Sequence, residues 1–415
     1  MSAHRLRSSL AVGIIAFILA VSAPVPAWDA EEGCGYDVDT LVVTARVDSR
    51  EDGSMATLRV GDDGAILFDG APCQTATVRN SDLIRIEDIA HSPHAGAVAV
   101  DLGGGPFAPG ATPEAGTSSE IEFDVRLEMR HKVIPPVLSI VGDGGPDHIR
   151  YGSRGINLNA DESDGIDIEI RRAAMSPHVA VRISGRRGDD HLRGDGGAGT
   201  GAALFTRSRG FPGGWGVTLY GGAGDDILVS HLGDRVTRMF GGPGRDHLIA
   251  LAAAEQMGGE DDDRLRGGPG HDDLLGGPGD DRLEAGDGED ALEGGPGDDV
   301  MWGGPGADVA RHLQAVRGVH ADLCVTEPQR TGDGTDTLRG VEGLSGGRFD
   351  DVLKGCHGPD RLSGWHGHDR LYGRAGADLL IGGSGDDLLA GGPGHNDVCM
   401  SEAGSDTLVG CEIRS

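Results

Sequence analysis

The chain has 415 residues, with 67 acidic and 36 basic side chains and a formal net charge of −31 at pH 7. So large a surplus of acids argues against nucleic acid or an anionic membrane surface as partner, and it favours cations. Aromatic residues make up only 4% of a chain with 74 glycines and 20 prolines, which excludes a thick aromatic core and leaves either disorder or a stacked repeat with a thin interior.

The first predicted element is a secretory signal peptide over residues 1–27. His4, Arg5 and Arg7 precede an apolar run over residues 10–21, and small residues follow in VSAPVPAW, which is the layout of an export signal. The alternative is a membrane anchor, but about 12 apolar residues cannot cross a hydrocarbon core that needs roughly 20. We therefore expect a secreted protein without a membrane span.

Residues 34–139 are predicted to form a β-rich N-terminal region. Stretches such as TLVVTARV, ATLRV and LIRIED alternate apolar and polar residues, and Asp-Gly or Gly-Gly turns separate them, a pattern typical of short strands. These strands form either an N-terminal β cap or the irregular start of a solenoid.

Weak copies of a nine-residue motif follow over residues 140–257. The matching segments are GDGGPDHIR (142–150), GRRGDDHLR (185–193), GGAGDDILV (221–229) and GGPGRDHLI (241–249). The starts at 185, 221, 241 and 258 are spaced 36, 20 and 17 residues apart, close to multiples of 18. We interpret this region as degenerate solenoid coils.

Two blocks then repeat the motif with a strict period. Residues 258–311 read GGEDDDRLR, GGPGHDDLL, GGPGDDRLE, AGDGEDALE, GGPGDDVMW and GGPGADVAR, and residues 346–399 read GGRFDDVLK, GCHGPDRLS, GWHGHDRLY, GRAGADLLI, GGSGDDLLA and GGPGHNDVC. In these twelve units the first place is Gly in eleven, the sixth is Asp in eleven and the eighth is Leu in nine. A fixed period indicates a stacked architecture rather than one globular core.

The segment between the blocks, residues 312–345, is predicted to form two irregular spacer coils. Its stretch TGDGTDTLR keeps Gly, Asp and Leu at places four, six and eight. The chain ends with a predicted cap over residues 400–415.

Six cysteines, an even number, suit an exported chain in an oxidising compartment. They allow fifteen pairings, of which neighbour pairing is the simplest: Cys34 with Cys73, Cys324 with Cys356, and Cys399 with Cys411. Zinc is the competing interpretation, but no two cysteines stand two to four residues apart as zinc knuckles require. We expect disulfides, the last of which closes the C-terminal cap.

Each nonapeptide is predicted to contain one turn and one short strand. Glycines at places one, two and four permit a tight turn that can approach an ion closely, and places seven to nine alternate polar, apolar, polar around one inward side chain. Two units would then make one flattened coil of about 18 residues, with unit i over unit i+2 at roughly 4.8 Å. The predicted fold is an all-β parallel solenoid, preceded by a small irregular β region.

Stacking aligns the sixth-place aspartates in columns. Asp263, Asp281 and Asp299 would lie on one edge, and Asp272, Asp290 and Asp308 on the other. Two carboxylates about 4.8 Å apart repel by roughly 3–4 kcal/mol at an effective dielectric near 20, so each column opposes folding by itself. A hard cation with oxygen ligands reverses the sign, and calcium suits an irregular cage of carboxylates and turn carbonyls better than magnesium does.

The predicted calcium ligands are therefore the sixth-place aspartates. In the two blocks they are Asp263, Asp272, Asp281, Asp290, Asp299, Asp308, Asp351, Asp360, Asp369, Asp378 and Asp387. In the weak copies the candidates are Asp147, Asp190, Asp226 and Asp246. Asn396 replaces the last aspartate of the second block, and Asp397 beside it suggests a slip of one residue.

These units resemble the haemolysin-type calcium-binding repeat GGxGxDxUx of RTX proteins. The resemblance implies that the first six residues of each unit form turns that hold calcium between successive coils, and that the last three form strands of a right-handed β-roll. Ala285 at place one, and Asp261 and Phe349 at place four, depart from the pattern. The signal peptide and cysteines resemble a smaller class of bacterial proteins built on the same repeat.

The motifs in the sequence do not indicate an enzyme. There is no HExxH motif of a zinc protease, and we expect no GxSxG elbow of a hydrolase. We interpret the histidines at 271, 357, 366, 368 and 395 as solvated turn residues. We expect a calcium-binding structural or interaction protein with a cell-surface or extracellular-matrix partner. The alternatives are the calcium-stabilised part of a secreted hydrolase or toxin with its activity in residues 34–139, and an ion store.

Overall fold

A computed structural model of the chain describes residues 33–47, 55–77, 83–88, 97–101, 122–126, 137–142, 148–151, 155–157, 168–170, 180–193, 217–230 and 237–414. Every helix or strand element in these ranges is a β-strand. Within the same ranges, no segment forms a helix with the length and apolar character needed to cross a membrane. The predicted signal peptide over residues 1–27 lies outside the described residues and stays a prediction.

Fifteen strands form the first sheet. In spatial order they are β1 (Gly33–Asp37), β2 (Val42–Val47), β6 (Leu83–Asp88), β8 (Glu122–Arg126), β12 (Ile168–Ile170), β11 (Gly155–Asn157), β10 (His148–Tyr151), β14 (His191–Arg193), β16 (Ile227–Ser230), β18 (His247–Ala250), β20 (Arg264–Arg266), β22 (Arg282–Glu284), β24 (Val300–Trp302), β28 (Thr335–Arg339) and β27 (Gln329–Arg330). Antiparallel pairs occur at the two ends and around β11, and the other pairs are parallel.

The second sheet is formed by the strands on the opposite side of the same coils. Its pairings run in one line through β5 (Ala71–Thr77), β4 (Ala65–Phe68), β3 (Ala56–Val60), β7 (Ala97–Asp101), β9 (Val137–Val141), β13 (Ala180–Arg187), β15 (Val217–Ala223), β17 (Thr237–Pro243), β19 (Ala254–Glu260), β21 (Asp273–Leu275), β23 (Ala291–Glu293), β25 (Val309–Arg311), β29 (Gly343–Ser345), β31 (Arg361–His366), β33 (Leu379–Ser384), β35 (Val398–Met400) and β37 (Ile413–Arg414). From β3 onward every pairing in this line is parallel.

A third sheet of five parallel strands replaces the first sheet beside the second repeat block. Its strands are β26 (His320–Asp322), β30 (Val352–Lys354), β32 (Arg370–Tyr372), β34 (Leu388–Ala390) and β36 (Thr407–Val409). The first sheet ends at β27 and β28 and the third begins at β26, so the spacer contributes strands to both. The second sheet continues past this seam through β29.

The strand register shows the predicted coil length directly. In the first sheet Leu265 pairs with Leu283, and Leu283 pairs with Met301, while in the second sheet Leu274 pairs with Leu292. Each step is 18 residues, so unit i lies beside unit i+2 as the nonapeptide period predicts. The repeats form an all-β solenoid of parallel coils.

The core is one column of eighth-place side chains on each side of the coil. These buried residues are Leu265, Leu274, Leu283, Leu292, Met301, Ala310, Leu353, Leu362, Leu371, Leu380 and Leu389. Because a three-residue strand turns only its middle side chain inward, each unit contributes one aliphatic group. The interior is therefore thin and aliphatic, as the low aromatic content predicts.

The weak copies before residue 258 belong to the same stack. Strand β14 pairs directly with β16, β16 with β18, and β18 with β20. The step of 36 residues between the copies that begin at 185 and 221 is thus a single layer and not two coils of 18. The strands of the N-terminal region join the same two sheets, because β9 pairs in parallel with β13, which favours an irregular start of the solenoid over a separate cap.

Three disulfides are present among the described residues, and they match the simplest pairing. Cys34–Cys73 links β1 of the first sheet to β5 of the second, Cys324–Cys356 links the segments after β26 and β30, and Cys399–Cys411 closes the last coil. The disulfides therefore lie at the start of the solenoid, at its end, and at the seam, which is the place where the first sheet ends and the third begins. At these places a coil lacks a regular neighbour on one side.

Candidate calcium sites

The sixth-place aspartates form four columns along the solenoid. In each column the backbone N–H of one aspartate donates to Oδ1 of the aspartate in the next coil, at 2.7–2.9 Å. The columns are Asp190–Asp226–Asp246–Asp263–Asp281–Asp299, Asp272–Asp290–Asp308, Asp351–Asp369–Asp387, and Asp360–Asp378. Both columns predicted for the first block are present, and Asp190, Asp226 and Asp246 of the weak copies extend one of them. Asp147 lies outside the described residues.

The second carboxylate oxygen of most of these aspartates is buried without a hydrogen bond. This holds for Oδ2 of Asp226, Asp246, Asp263, Asp281, Asp290, Asp299, Asp308, Asp369, Asp378 and Asp387. A buried acceptor left unpaired costs about 1–3 kcal/mol, and more when it is charged. A row of such atoms is consistent with ligands for a cation, since it otherwise only opposes folding.

Asp272, Asp351 and Asp360 differ, because their Oδ2 atoms accept N–H bonds from place two of their own turns. The donors are the N–H groups of Gly268, Gly347 and Cys356. In the described part of the chain, each of the three is the first aspartate of its column. No sixth-place aspartate precedes them in the column, and each carboxylate instead accepts a bond from its own turn. These three aspartates are therefore weaker candidate ligands.

Place one needs glycine because two oxygen atoms converge there. A Cβ on Gly276 would lie 2.2 Å from Asp281 Oδ2 and 2.6 Å from the carbonyl oxygen of Gly294 in the next coil. The same pair of contacts recurs at Gly364, with Asp369 Oδ2 at 2.1 Å. A carboxylate and a peptide carbonyl that face one small space form the hard oxygen set that calcium prefers.

Places two and four need glycine for backbone conformation. Gly277 and Gly279 have φ of 120° and 154°, values that side chains disfavour. A Cβ on Gly295 would lie 2.3 Å from the carbonyl oxygen of Gly277, so the turns of successive coils approach closely. The turn carbonyls therefore face the neighbouring coil and are further candidate ligands.

Three departures from glycine keep a positive φ, whereas Phe349 at place four does not. Asp261 at place four has φ 79°, and Trp365 and Arg374 at place two have φ 73° and 72°. Each such residue stores about 1–3 kcal/mol of backbone strain. The stack thus imposes the turn even where the residue disfavours it, and Asp261 still donates its N–H to the carbonyl of Pro278 at 2.9 Å.

Burial is the largest cause of high pKa values in the columns. It raises the pKa of Asp281 to about 7, that of Asp263 to about 8 and that of Asp299 to about 9. The donated N–H bonds lower these pKa values and neighbouring aspartates raise them further. Without a cation these three aspartates therefore hold protons near neutral pH.

The fifth-place side chains form a separate, exposed ladder. The N–H of Asp280 donates to Oδ1 of Asp262 at 3.1 Å, and the N–H of Asp298 donates to Oδ1 of Asp280 at 2.9 Å. Here each N–H donates to the preceding coil, whereas in the sixth-place columns it donates to the following coil. The fifth-place side chains are not the carboxylates that face the glycine at place one. Asp280 is thus an acid beside Asp281 that does not face the candidate site.

Sequence reasoning missed the acids that end the columns. Asp336, Glu342, Asp406 and Glu412 accept the last N–H bonds, from Asp299, Asp308, Asp387 and Asp397. Asp397 itself replaces Asn396 at the end of the column that starts at Asp360, since Asp378 donates to its Oδ1 at 3.0 Å. The shift of one residue from position 396 to 397 is therefore present in the structure, and Oδ2 of Asp397 is buried and unpaired. An acid two residues before a buried residue was the available signal, as in SEAGSDTLV (401–409).

The serine motif GLSGG and the turn histidines both lie within the repeat structure. GLSGG (343–347) fits the letters of a GxSxG motif, but it ends strand β29 and leads into another repeat turn, and Ser345 Oγ accepts the indole N–H of Trp365 at 2.7 Å. The turn histidines at 271, 357, 366, 368 and 395 are exposed, as predicted.

Comparison with known proteins agrees with this geometry. A family model described as the RTX calcium-binding nonapeptide repeat matches residues 181–200, 217–236, 257–283, 275–310, 345–380, 366–398 and 374–408. No curated protein matches the chain. The matched segments contain the column aspartates other than Asp246, together with the glycine turns beside them. Residues 181–408 therefore carry RTX calcium-binding nonapeptide repeats, and their described strands form a β-solenoid.

Proposed function

We propose that calcium binding between successive coils folds the repeat region of a secreted protein with a structural or interaction role. The observation that carries this proposal is the row of buried, unpaired Oδ2 atoms at the sixth place. Except at Ala285, a glycine at place one lets a turn carbonyl of the neighbouring coil approach. The repeat itself supports calcium binding, and the aspartates of the columns are the residues that we propose as ligands.

The candidate ligands come from two neighbouring turns. Asp281 contributes Oδ2, and the carbonyl oxygens of Gly277, Gly279 and Gly294 face adjoining coils. When bound, calcium supplies the positive charge that offsets the column of carboxylates. Oδ1 of each aspartate meanwhile holds the N–H of the preceding coil, so one side chain joins two coils and faces the candidate site.

The expected stabilisation is large in total and small per site. With a dissociation constant of about 0.1 mM, within the range of extracellular calcium modules, about 1 mM calcium stabilises the fold by roughly 1.4 kcal/mol per site. Seven or eight sites, as expected for two six-unit blocks, would sum to roughly 10 kcal/mol, similar to the stability of a whole domain. Calcium would then decide whether the repeats fold.

The test compares two isosteric substitutions of adjacent acids. Asp281→Asn keeps the Oδ1 acceptor for the N–H of Asp263 but replaces the unpaired Oδ2, whereas Asp280→Asn removes the same charge from an exposed position. We expect Asp281→Asn to lose one or two bound calcium ions, counted by equilibrium dialysis, and Asp280→Asn to lose none.

Equal calcium counts in the wild type and both variants would show that sixth-place aspartates are not the ligands. Equal losses in both variants would show that calcium responds to net charge and not to a built site. In either case the second block, far from residue 281, is the internal reference, because its sites should be unchanged.

Export and biological role rest on other observations. The predicted signal peptide over residues 1–27 and the three disulfides favour an oxidising, extracellular location. We propose that the folded solenoid serves at the cell surface or in the extracellular matrix. That the chain is not an enzyme stays a prediction, and assays of the purified chain against ester, peptide and glycan substrates test it, since the alternative places a hydrolase or toxin activity in residues 34–139.

A further inference from the structure

The seam between the two repeat blocks encloses a cluster that adds a histidine to the acid at the end of one aspartate column. His312 follows strand β25, and its N–H donates to the carbonyl of Ser345 at 2.9 Å, which anchors it to the continuous second sheet. Asp333 and Asp336 come from the β27–β28 hairpin. Two separate segments of the spacer thus bring an imidazole and two carboxylates together.

All three side chains are buried, and the imidazole faces the carboxylates. The side chains of His312, Asp333 and Asp336 are 1%, 2% and 1% exposed. His312 Nδ1 lies 3.8 Å from Asp333 Oδ1 and 4.0 Å from Asp336 Oδ2, beyond hydrogen-bond distance. One donor atom from each residue lies within 4.8 Å of the others.

Protein hydrogen bonds leave this cluster incomplete. His312 Nε2 and Asp333 Oδ1 are buried with no partner, whereas Asp336 Oδ1 accepts the N–H of Asp299 and its Oδ2 accepts the hydroxyl of Thr331. Nε2 lies on the far side of the ring from Nδ1, so the atoms that face one another are His312 Nδ1, Asp333 Oδ1 and Asp336 Oδ2. A buried carboxylate oxygen without a partner, such as Asp333 Oδ1, opposes folding, and an ion between it and Nδ1 would satisfy it.

The local charge calls for a cation. Burial, and after it the like charges of Asp336 and Glu293, raise the pKa of Asp333 to about 7. His312 Nδ1 lies beyond hydrogen-bond distance of both carboxylates. The imidazole therefore does not itself neutralise the acids.

We propose that His312, Asp333 and Asp336 form a binding site for one divalent transition metal ion such as Zn²⁺, which lies at the end of the Asp299 column and differs from the calcium sites in its nitrogen ligand. Imidazole nitrogen suits zinc and its neighbours in the first row, whereas calcium takes oxygen ligands. Ligands about 2.0–2.2 Å from a tetrahedral ion lie roughly 3.4 Å apart, so the distances of 3.8 and 4.0 Å from His312 Nδ1 would shorten by about 0.4–0.6 Å. The two carboxylate oxygens, which lie within 4.8 Å of each other, would also move closer.

Such an ion would hold the seam closed. The first sheet ends at the β27–β28 hairpin and only the second sheet crosses to the next block, so this layer has fewer backbone bonds between coils. A bond from His312 to both aspartates would tie the hairpin to the continuous sheet.

The experiment uses the full mature chain with calcium at saturation. Zn²⁺ binding is measured by competition with a chromophoric chelator, and calcium is counted in the same samples. We expect the wild type to bind one Zn²⁺ per chain, and His312→Gln and Asp333→Asn each to bind it at least about 10-fold more weakly, because even the outer partners of metal ligands contribute 10–100-fold to affinity.

Two controls separate this site from others. His395→Gln removes an exposed turn histidine and should leave zinc binding unchanged, and the calcium count should be unchanged in all variants. Asp333→Asn protects the test if His312→Gln does not fold, since Asp333 Oδ1 has no hydrogen bond to lose. Wild-type binding no stronger than that of Asp333→Asn would overturn the proposal, and so would a loss in His395→Gln equal to that in Asp333→Asn.

Discussion

A sixth-place aspartate such as Asp281 uses its two carboxylate oxygens for different purposes. Oδ1 accepts the N–H of Asp263 at 2.8 Å and so fixes the distance between two coils. Oδ2 is buried, unpaired and directed to the space beside Gly276. This division explains why the sixth place holds Asp rather than Asn, since an amide could fill the first role but not the second.

The protonation of these residues predicts how calcium-free protein responds to pH. Burial raises the pKa of Asp281 to about 7 and that of Asp299 to about 9, while an unfolded aspartate titrates near about 3.9. Without calcium, the folded chain therefore binds more protons than the unfolded chain from about pH 4 upward, and the free energy of unfolding falls as pH rises through these pKa values. We expect calcium-depleted protein to melt at a lower temperature at pH 8 than at pH 5, measured by circular dichroism.

Calcium should reverse this order, because the ion competes with protons for the same oxygens. At saturating calcium the melting temperature should be higher at pH 8 than at pH 5. A calcium-depleted protein that is more stable at pH 8 would mean that the columns are charged in the folded state without an ion, contrary to the burial of Oδ2.

At the scale of the element, a three-residue strand is stabilised by one inward side chain and by its neighbours. In β34 Leu389 is fully buried, whereas the adjacent Leu388 is only half-buried. Leu389→Ala should lower the free energy of unfolding by about 2–5 kcal/mol, and Leu388→Ala by less than about 1 kcal/mol. Urea unfolding at saturating calcium measures both, and similar losses would contradict a core one residue thick.

Most elements could be predicted from the sequence wherever the period is unbroken. The Asp–x–Leu spacing places both the column and the core, so Asp281 and Leu283 follow from the same nonapeptide. Asp406 was missed because Ser401 and Glu402 replace the turn glycines before it, although its Leu408 keeps the spacing. Glu342 and Glu412 end their columns with a longer acid, which a search for aspartate does not find.

The seam could not be predicted, because nonlocal pairing decides it. Strand β26 pairs with β30, which follows it in the chain by a whole coil, while β28 returns to pair with β24. No periodic residue marks this reversal. His312 likewise gave no signal, since its burial depends on the β27–β28 hairpin and not on the residues beside it.

At the scale of the whole molecule, the chain has a net charge of −31, and in the described residues the aspartate columns run through the stack from Asp190 to Asp397. Each coil touches only the coils before and after it, so stability is close to a sum over neighbouring pairs. Ions that act between neighbouring coils therefore act on every step of the stack. The three disulfides stand where this series begins, changes sheet and ends.

The most direct test of the central claim is to compare the mature, oxidised chain in about 1 mM calcium with the same chain after exhaustive dialysis against EGTA at neutral pH. Far-ultraviolet circular dichroism and the radius of gyration report β structure and compactness together. We predict a β-rich, compact solenoid with calcium, and loss of most β signal with marked expansion of the repeat region without it. An unchanged spectrum and radius after dialysis would contradict the account, because the columns of buried carboxylates would then be stable without an ion between the coils.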